Sequence, residues 1–212
     1  MSVHLHSFFR SSASWRVRIA LALKGIDFTQ STYRLRAGEQ RSDAFLKINP
    51  QGLVPALEID GLVLTQSLAI IEYLDDTIPT PPLCGTTALE RARIRAFAMA
   101  IACETHPLQN LKVLNKVEAI TSSESAAQDW AKAVNYEGLA ACAALLPGEN
   151  TPFCFGDKPT LADICLVPQL ANARRFGVPI EWRRLGEIES NCTALPAFVD
   201  TAPENQPDAP TA

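Results

Sequence analysis

No two of the six cysteines stand in a C-x-x-C pair, and none shares a metal-ligand spacing with the three histidines. A dithiol redox centre and a structural zinc site both need such spacing, so neither is expected. His4 and His6 share one strand face, but no third ligand accompanies them, and no metal is expected. Long apolar runs are missing too: none approaches the ~20 residues that span a bilayer. The opening "MSVHLHSFF" has neither the basic start nor the apolar stretch of a secretory signal. Positive charge is also in short supply. Nineteen Lys and Arg against 23 Asp and Glu give a formal charge of -4, without the basic surface that nucleic acid requires. Scattered, unpaired cysteines fit a reducing compartment. These absences describe a cytoplasmic protein whose partners are neither membranes nor nucleic acids.

What the chain does have is apolar residue, 47% of 212 positions, enough for a core in one large or two small domains. Its two halves follow different patterns. Val3 to Phe9 reads as a strand, Ser14 to Lys24 as a helix stopped by Gly25, and Asp27 to Leu35 as a second strand. Strand, helix and strand in so short a space imply a βαβ unit with parallel pairing. After a short helix near Ser42–Ile48, Asp60-Gly61 marks a hairpin between Ala56–Ile59 and Leu62–Leu64. Ile70, Ile71 and Leu74 then fall at helical spacing.

From about Thr87 the strand pattern ends. Thr87-x-x-Glu90, Thr121-x-x-Glu124 and Thr160-x-x-Asp163 each read as a helix start of the capping-box kind, and Pro168 is expected to kink the last of these helices. "IPTPPLCG" is the natural linker, and no internal repeat is present. The expected fold class is α/β plus all-α: an N-terminal α/β domain over residues 1–80 and an all-helical domain over 87–212.

The segments "SSASWRVRIALALKGIDF", "NPQGLVPALEIDG", "LTQSLAIIEYL", "HPLQNLKVL", "LADICLVPQLANARRF" and the tail "ENQPDAPTA" together resemble the zeta-class glutathione transferases, over nearly the whole chain. The resemblance implies a thioredoxin-like domain followed by a helical bundle, a homodimer, and glutathione as cofactor. It also implies glutathione-dependent cis–trans isomerisation of an acidic maleyl diketo acid to its fumaryl isomer. Maleylacetoacetate and maleylpyruvate both remain open as that acid. Dehalogenation of small α-halo acids and a non-catalytic glutathione-binding module are the rival readings. One departure is plain: the class motif is S-S-C-S-W-R, and Ala13 takes the cysteine's place.

A free thiol has a pKa of about 8.5, so glutathione needs help to ionise at neutral pH. A helix N-terminus favours the anion through its unpaired N–H groups and partial charge, and hydroxyls add hydrogen bonds to the charged form. Ser11, Ser12 and Ser14 crowd such a helix mouth, although each could equally be a plain helix cap. By resemblance, Ser12 donates to the thiolate, with Ser11 close behind.

Gln66-Ser67 opens another helix and suits the γ-glutamyl carboxylate. Val54, before a Pro55 that is cis in thioredoxin-like folds, resembles a backbone ligand that pairs with the cofactor as an added strand would. Gln40 matches a further cofactor-contacting position. Arg10 and Arg175 match positions near the substrate carboxylates, which an arginine fork binds bidentately. Arg174 is the poorer match. His106, Gln109 and Asn110 fall by the same resemblance near the cofactor or the cleft, with a structural bond an alternative for His106. Trp15, Ile19 and Leu23 read as a core stripe.

Overall fold

The computed structural model describes residues 1–148 and 150–210; Glu149 and the last two residues of the expected helical domain lie outside it. Two compact units emerge, one of residues 1–83 with 193–210, the other of Cys84–Cys192.

In the first unit, β1 (Val3–Ser7) pairs in parallel with β2 (Thr29–Thr32) across the crossover helix α1 (Ser12–Leu23). α1 starts two residues earlier than the sequence implies, because the Ser11 side chain accepts the Ser14 amide at 3.2 Å and serves as N-cap. Its stop is as expected. Gly25, at φ 66°, lets the Ile26 amide reach the Leu21 carbonyl and closes a Schellman turn.

After α2 (Asp43–Ile48), capped by Ser42, β3 (Ala56–Ile59) and β4 (Leu62–Thr65) form the expected hairpin. Asp60 and Gly61 both have positive φ, 47° and 83°, as its two-residue turn demands. The sheet order is β2-β1-β3-β4, and α3 (Ser67–Thr77) follows.

Strand register sorts the side chains. Val3 faces Ile59 and Leu5 faces Leu57, giving one apolar side. On the other side His4 faces Glu58 and Thr29, and His6 stands opposite Ser31. Leu5, Leu57, Ile19, Leu21, Ile70, Ile71 and Leu74 are fully buried. Each contributes about 1.5–3 kcal/mol by leaving water. α1 and α3 pack together, and Lys24, just past α1, ties their far ends. Its buried ammonium donates to Asp75 Oδ1 at 2.6 Å and to the carbonyls of Ile78 and Pro81, using all three of its hydrogens.

The sequence reading gave residues 87–212 to the helical domain, but from 193 on the chain groups with the α/β unit. The reason is a set of long-range polar contacts. Trp15 Nε1 donates to Thr201 Oγ1 at 3.2 Å, and Arg18 Nε donates to the Thr201 carbonyl at 3.0 Å. The Phe9 amide donates to Asp208 Oδ2 at 2.9 Å.

The second unit contains α4 (Ala88–Met99), α5 (Leu111–Thr121), α6 (Glu124–Leu145), α7 (Leu161–Arg175) and most of α8 (Arg183–Thr193). The short α9 (Pro196–Val199) belongs to the first unit. Thr87 and Glu90 form the expected capping box, and hydrogen bonds from Thr87 and Thr86 bring the Glu90 carboxyl down to about 2. Thr121 is not a cap. It ends α5, and Ser123 caps α6 by accepting the Ala126 amide. Asp163, fully buried, accepts from the Thr160 amide and hydroxyl and from the Cys154 amide. α7 continues through Pro168. α4 runs into a π-helical segment, Ala100–Thr105, against which Gly138 of α6 packs so closely that a Cβ there would lie 2.2 Å from Thr105 Oγ1.

Candidate active site

Three segments meet at one end of the sheet. His6 faces Ala56 and Ala56 faces Thr65. One step further in that register, Pro55 falls between Ser7, which leads into the Phe8–Ser11 loop, and Gln66, which leads into α3. The first two strands and the hairpin thus deliver the mouths of α1 and α3 on either side of Val54-Pro55.

The two mouths share a trait. Neither α1 nor α3 has an acidic residue in its first turn, whereas α2 carries Asp43 there. An acid at that position would neutralise the positive helix end; leaving it out keeps the end available to an outside anion. At α1, Ser11 is half-buried and holds the cap, and Ser12 is the first helical residue. Ser14 is wholly enclosed, at 0% exposure, so its hydroxyl is no open donor as the sequence reading had it. Arg10 stands exposed before the serines with its guanidinium over the Phe9 ring.

At α3, Gln66 adopts φ 69°, a strained value for a residue with a side chain, and provides no side-chain cap. Its amide group instead donates to Gln51 Oε1 at 2.8 Å. Ser67, only 6% exposed, receives a hydrogen bond at 3.3 Å from Arg16 of α1.

Val54-Pro55 is cis, as the resemblance implies. No described residue bonds the Val54 amide or carbonyl, so this backbone edge is open for pairing. The preceding loop is held by Asn49, whose side chain donates to the Leu53 carbonyl and accepts the Gln51 amide. Gln40 is buried; its Nε2 donates to the Leu35 carbonyl, which holds its own loop together.

Three contributors escaped the sequence reading: Arg16, Arg18 and Asn49. All are buried polar residues at 0–1% exposure. Arg18 donates to the carbonyls of Phe8 and Phe9 and to Ser7 Oγ, pinning the loop that enters α1. Burial lowers its pKa to about 10, partly opposed by Asp208. Two arginines on a largely apolar helix were the available signal, because a buried charge needs a purpose.

The histidine pair has one too. All four ring nitrogens are engaged: His4 with Thr29 and Ser31, His6 with Tyr33 and Glu58. Burial, then Glu58, raises the Tyr33 pKa.

In the helical unit, His106 follows the π-helical segment, its amide reaching back to Ile101. Gln109 is buried, and Asn110 caps α5 by accepting the Lys112 amide. Asn110 therefore has a structural task that its sequence assignment did not include. Arg175 is the last residue of α7, exposed, with its guanidinium 4.9 Å from the centre of the Phe176 ring. Arg174 is committed elsewhere, in a two-pronged pair with Glu189.

Known proteins share this fold. The glutathione S-transferase N-terminal domain family matches residues 1–76, and its C-terminal domain family matches residues 131–191. Maleylacetoacetate isomerase of Pseudomonas aeruginosa is 45% identical, over 98% of this chain and 99% of its own. A solved bacterial maleylpyruvate isomerase of the zeta class superimposes with a TM-score of 0.95 at 40% identity, covering 98% of this chain and 100% of that one. Maleylacetoacetate isomerase of Anaeromyxobacter dehalogenans, solved with glutathione in its active site, gives 0.89 at 40% identity, over 99% and 98%. The chain belongs to the glutathione S-transferase family, in its zeta class.

Proposed function

We propose that this protein is a glutathione-dependent cis–trans isomerase that converts maleylacetoacetate to fumarylacetoacetate, with maleylpyruvate the second candidate substrate. One observation carries the reading: two helix mouths, each free of first-turn acid and each bearing a serine, flank an open backbone edge at Val54. That pattern fits a peptide-like ligand with an anion at each helix. Glutathione, when bound, supplies the sulfur that adds to the conjugated double bond and leaves after rotation.

The chain's own residues have simpler tasks. Ser12, with Ser11 beside it, donates to the thiolate, and the α1 N-terminus lowers its energy further. Val54 pairs with the cofactor backbone, Ser67 and the α3 amides hold its γ-glutamyl carboxylate, and Gln40 lies along the same ligand. Arg10 and Arg175 hold the substrate carboxylates, and His106 and Asn110 contribute further polar contacts. No protein nucleophile is needed, so Ala13 in place of the class cysteine is no obstacle.

We further place the protein in the cytoplasm as a homodimer. All six cysteines are free, and among the described residues no helix is long and apolar enough to cross a membrane. Leu89, Ala92, Ala96 and Met99 form an exposed apolar stripe along α4, and Leu62 and Val63 are exposed on the edge strand β4. Such patches suit a subunit interface.

The test is a paired assay of maleylacetoacetate and maleylpyruvate, with and without glutathione. Glutathione-dependent turnover of the first, at the higher kcat/KM, supports the reading. Turnover of neither, despite glutathione binding, leaves the binding module.

A further inference from the structure

Arg16 occupies an odd place. It is 1% exposed, on the helix that presents Ser11 and Ser12, yet its guanidinium reaches the other helix mouth. Arg16 Nη1 donates to Ser67 Oγ at 3.3 Å. A guanidinium can only donate, whereas a hydroxyl has one hydrogen and two lone pairs. The contact therefore fixes which way Ser67 works: its oxygen faces Arg16 as acceptor, and its single hydrogen is turned elsewhere. Ser67 is the first residue of α3, and no side chain caps that helix. Toward the helix mouth, Ser67 thus presents a donor polarised by a neighbouring cation, which is what a carboxylate needs.

We propose that Arg16 is a positioning residue for the anion site at α3. It acts through Ser67, orienting and polarising that hydroxyl toward the γ-glutamyl carboxylate, without touching the ligand itself. The inference rests on the reading that Ser67 holds this carboxylate. Because Arg16 and Ser12 lie one helical turn apart on α1, the same element sets the thiol end and the carboxylate end of the ligand.

A double-mutant cycle tests this. Calorimetry would measure glutathione and cysteinylglycine, which lacks the γ-glutamyl carboxylate, on the wild type, Arg16→Lys, Ser67→Ala and the double variant. Ser67→Ala should weaken glutathione about tenfold and leave cysteinylglycine nearly unchanged. Arg16→Lys should weaken glutathione several-fold alone but add nothing on top of Ser67→Ala, since coupled residues are non-additive. Equal losses from Arg16→Lys in both backgrounds, or none in a folded variant, would overturn the proposal. An unchanged glutathione affinity in Ser67→Ala would instead remove the carboxylate reading, and the inference with it. Arg16→Gln, which keeps a donor on a shorter stem, enters the same cycle if Arg16→Lys does not fold.

Discussion

Ser11 and Ser12 are neighbours with separable duties. Ser11 caps α1, so Ser11→Ala should cost about 0.5–2 kcal/mol of stability. Ser12 is the first helical residue, at the mouth itself, so Ser12→Ala should act on the bound thiol. A charge-assisted hydrogen bond is worth about 1.5–3 kcal/mol and one pKa unit about 1.4, so the thiol pKa should rise by roughly one to two units. The rate at neutral pH should fall about ten- to a hundredfold and recover in alkaline buffer. The thiolate's ultraviolet absorbance across a pH titration checks this; an unmoved midpoint would make Ser12 a packing residue.

Other thiols set the alkaline limit. Burial raises Cys142 to about 12 and lifts Cys154 and Cys192 as well, with Asp163 the next cause for those two. A thiol raised in the folded state contributes stability that is whole below its unfolded pKa and is lost as pH climbs toward the folded one. Cys142 should therefore cost roughly 1–2 kcal/mol by pH 10, with Cys154 and Cys192 adding losses of the same sign. Denaturant melts should show a steep loss from pH 8.5 upward that flattens in Cys142→Ala. A slope equal to wild type in that variant would count against the assignment.

The helix start at Ser11 was legible because a hydroxyl before a helix is a local signal. Arg16, Arg18 and Asn49 were not. Periodicity reads apolar positions; two arginines on a largely apolar helix hint at burial, but nothing local names the carbonyls and hydroxyls they meet.

At the scale of elements, starts and stops followed local rules where one residue decided them. Asp60-Gly61 made its turn, Gly25 its stop and Thr87 its box. Thr121 misled because Ser123, two residues on, competes for the same task, and the helix took the nearer hydroxyl. The π-helical segment had no local sign at all, and α6 packs against it. Gly138 leaves no room for a side chain in that packing. Gly138→Ala would drive a methyl into the Thr105 side chain, whose Cβ is branched and cannot swing clear. The expected loss is about 1–3 kcal/mol, or roughly 2–4 °C in Tm for each kcal/mol at this chain length. Because His106 follows directly, kcat should drop along with Tm. A variant with wild-type Tm would mean that α6 shifts freely, and the segment is looser than its geometry implies.

For the whole molecule, the proposed dimer gives a direct measurement. Ala96→Glu places a charge in the middle of the α4 stripe and should shift the mass in light scattering from dimer to monomer at micromolar concentration. Wild type that is already monomeric would overturn the proposal. The two-part architecture was legible from the change in pattern near Thr87, but the return of the tail was not. The Phe9–Asp208 contact spans 199 positions, and no local rule reaches that far.

That contact also bears on how the protein is made. A ribosome releases residues in order, so residues 1–83 of the α/β unit emerge before the helical unit yet lack Thr201 and Asp208 until after it. Arg18 has no Thr201 carbonyl to meet, and the Phe9 amide no carboxylate, while the helical residues between are still being added. The helical unit, continuous in sequence, is complete as soon as Cys192 has cleared the exit tunnel. The portion born first is therefore the portion finished last, and a nascent chain stalled before residue 201 should expose its α/β half to protease while its helices already resist.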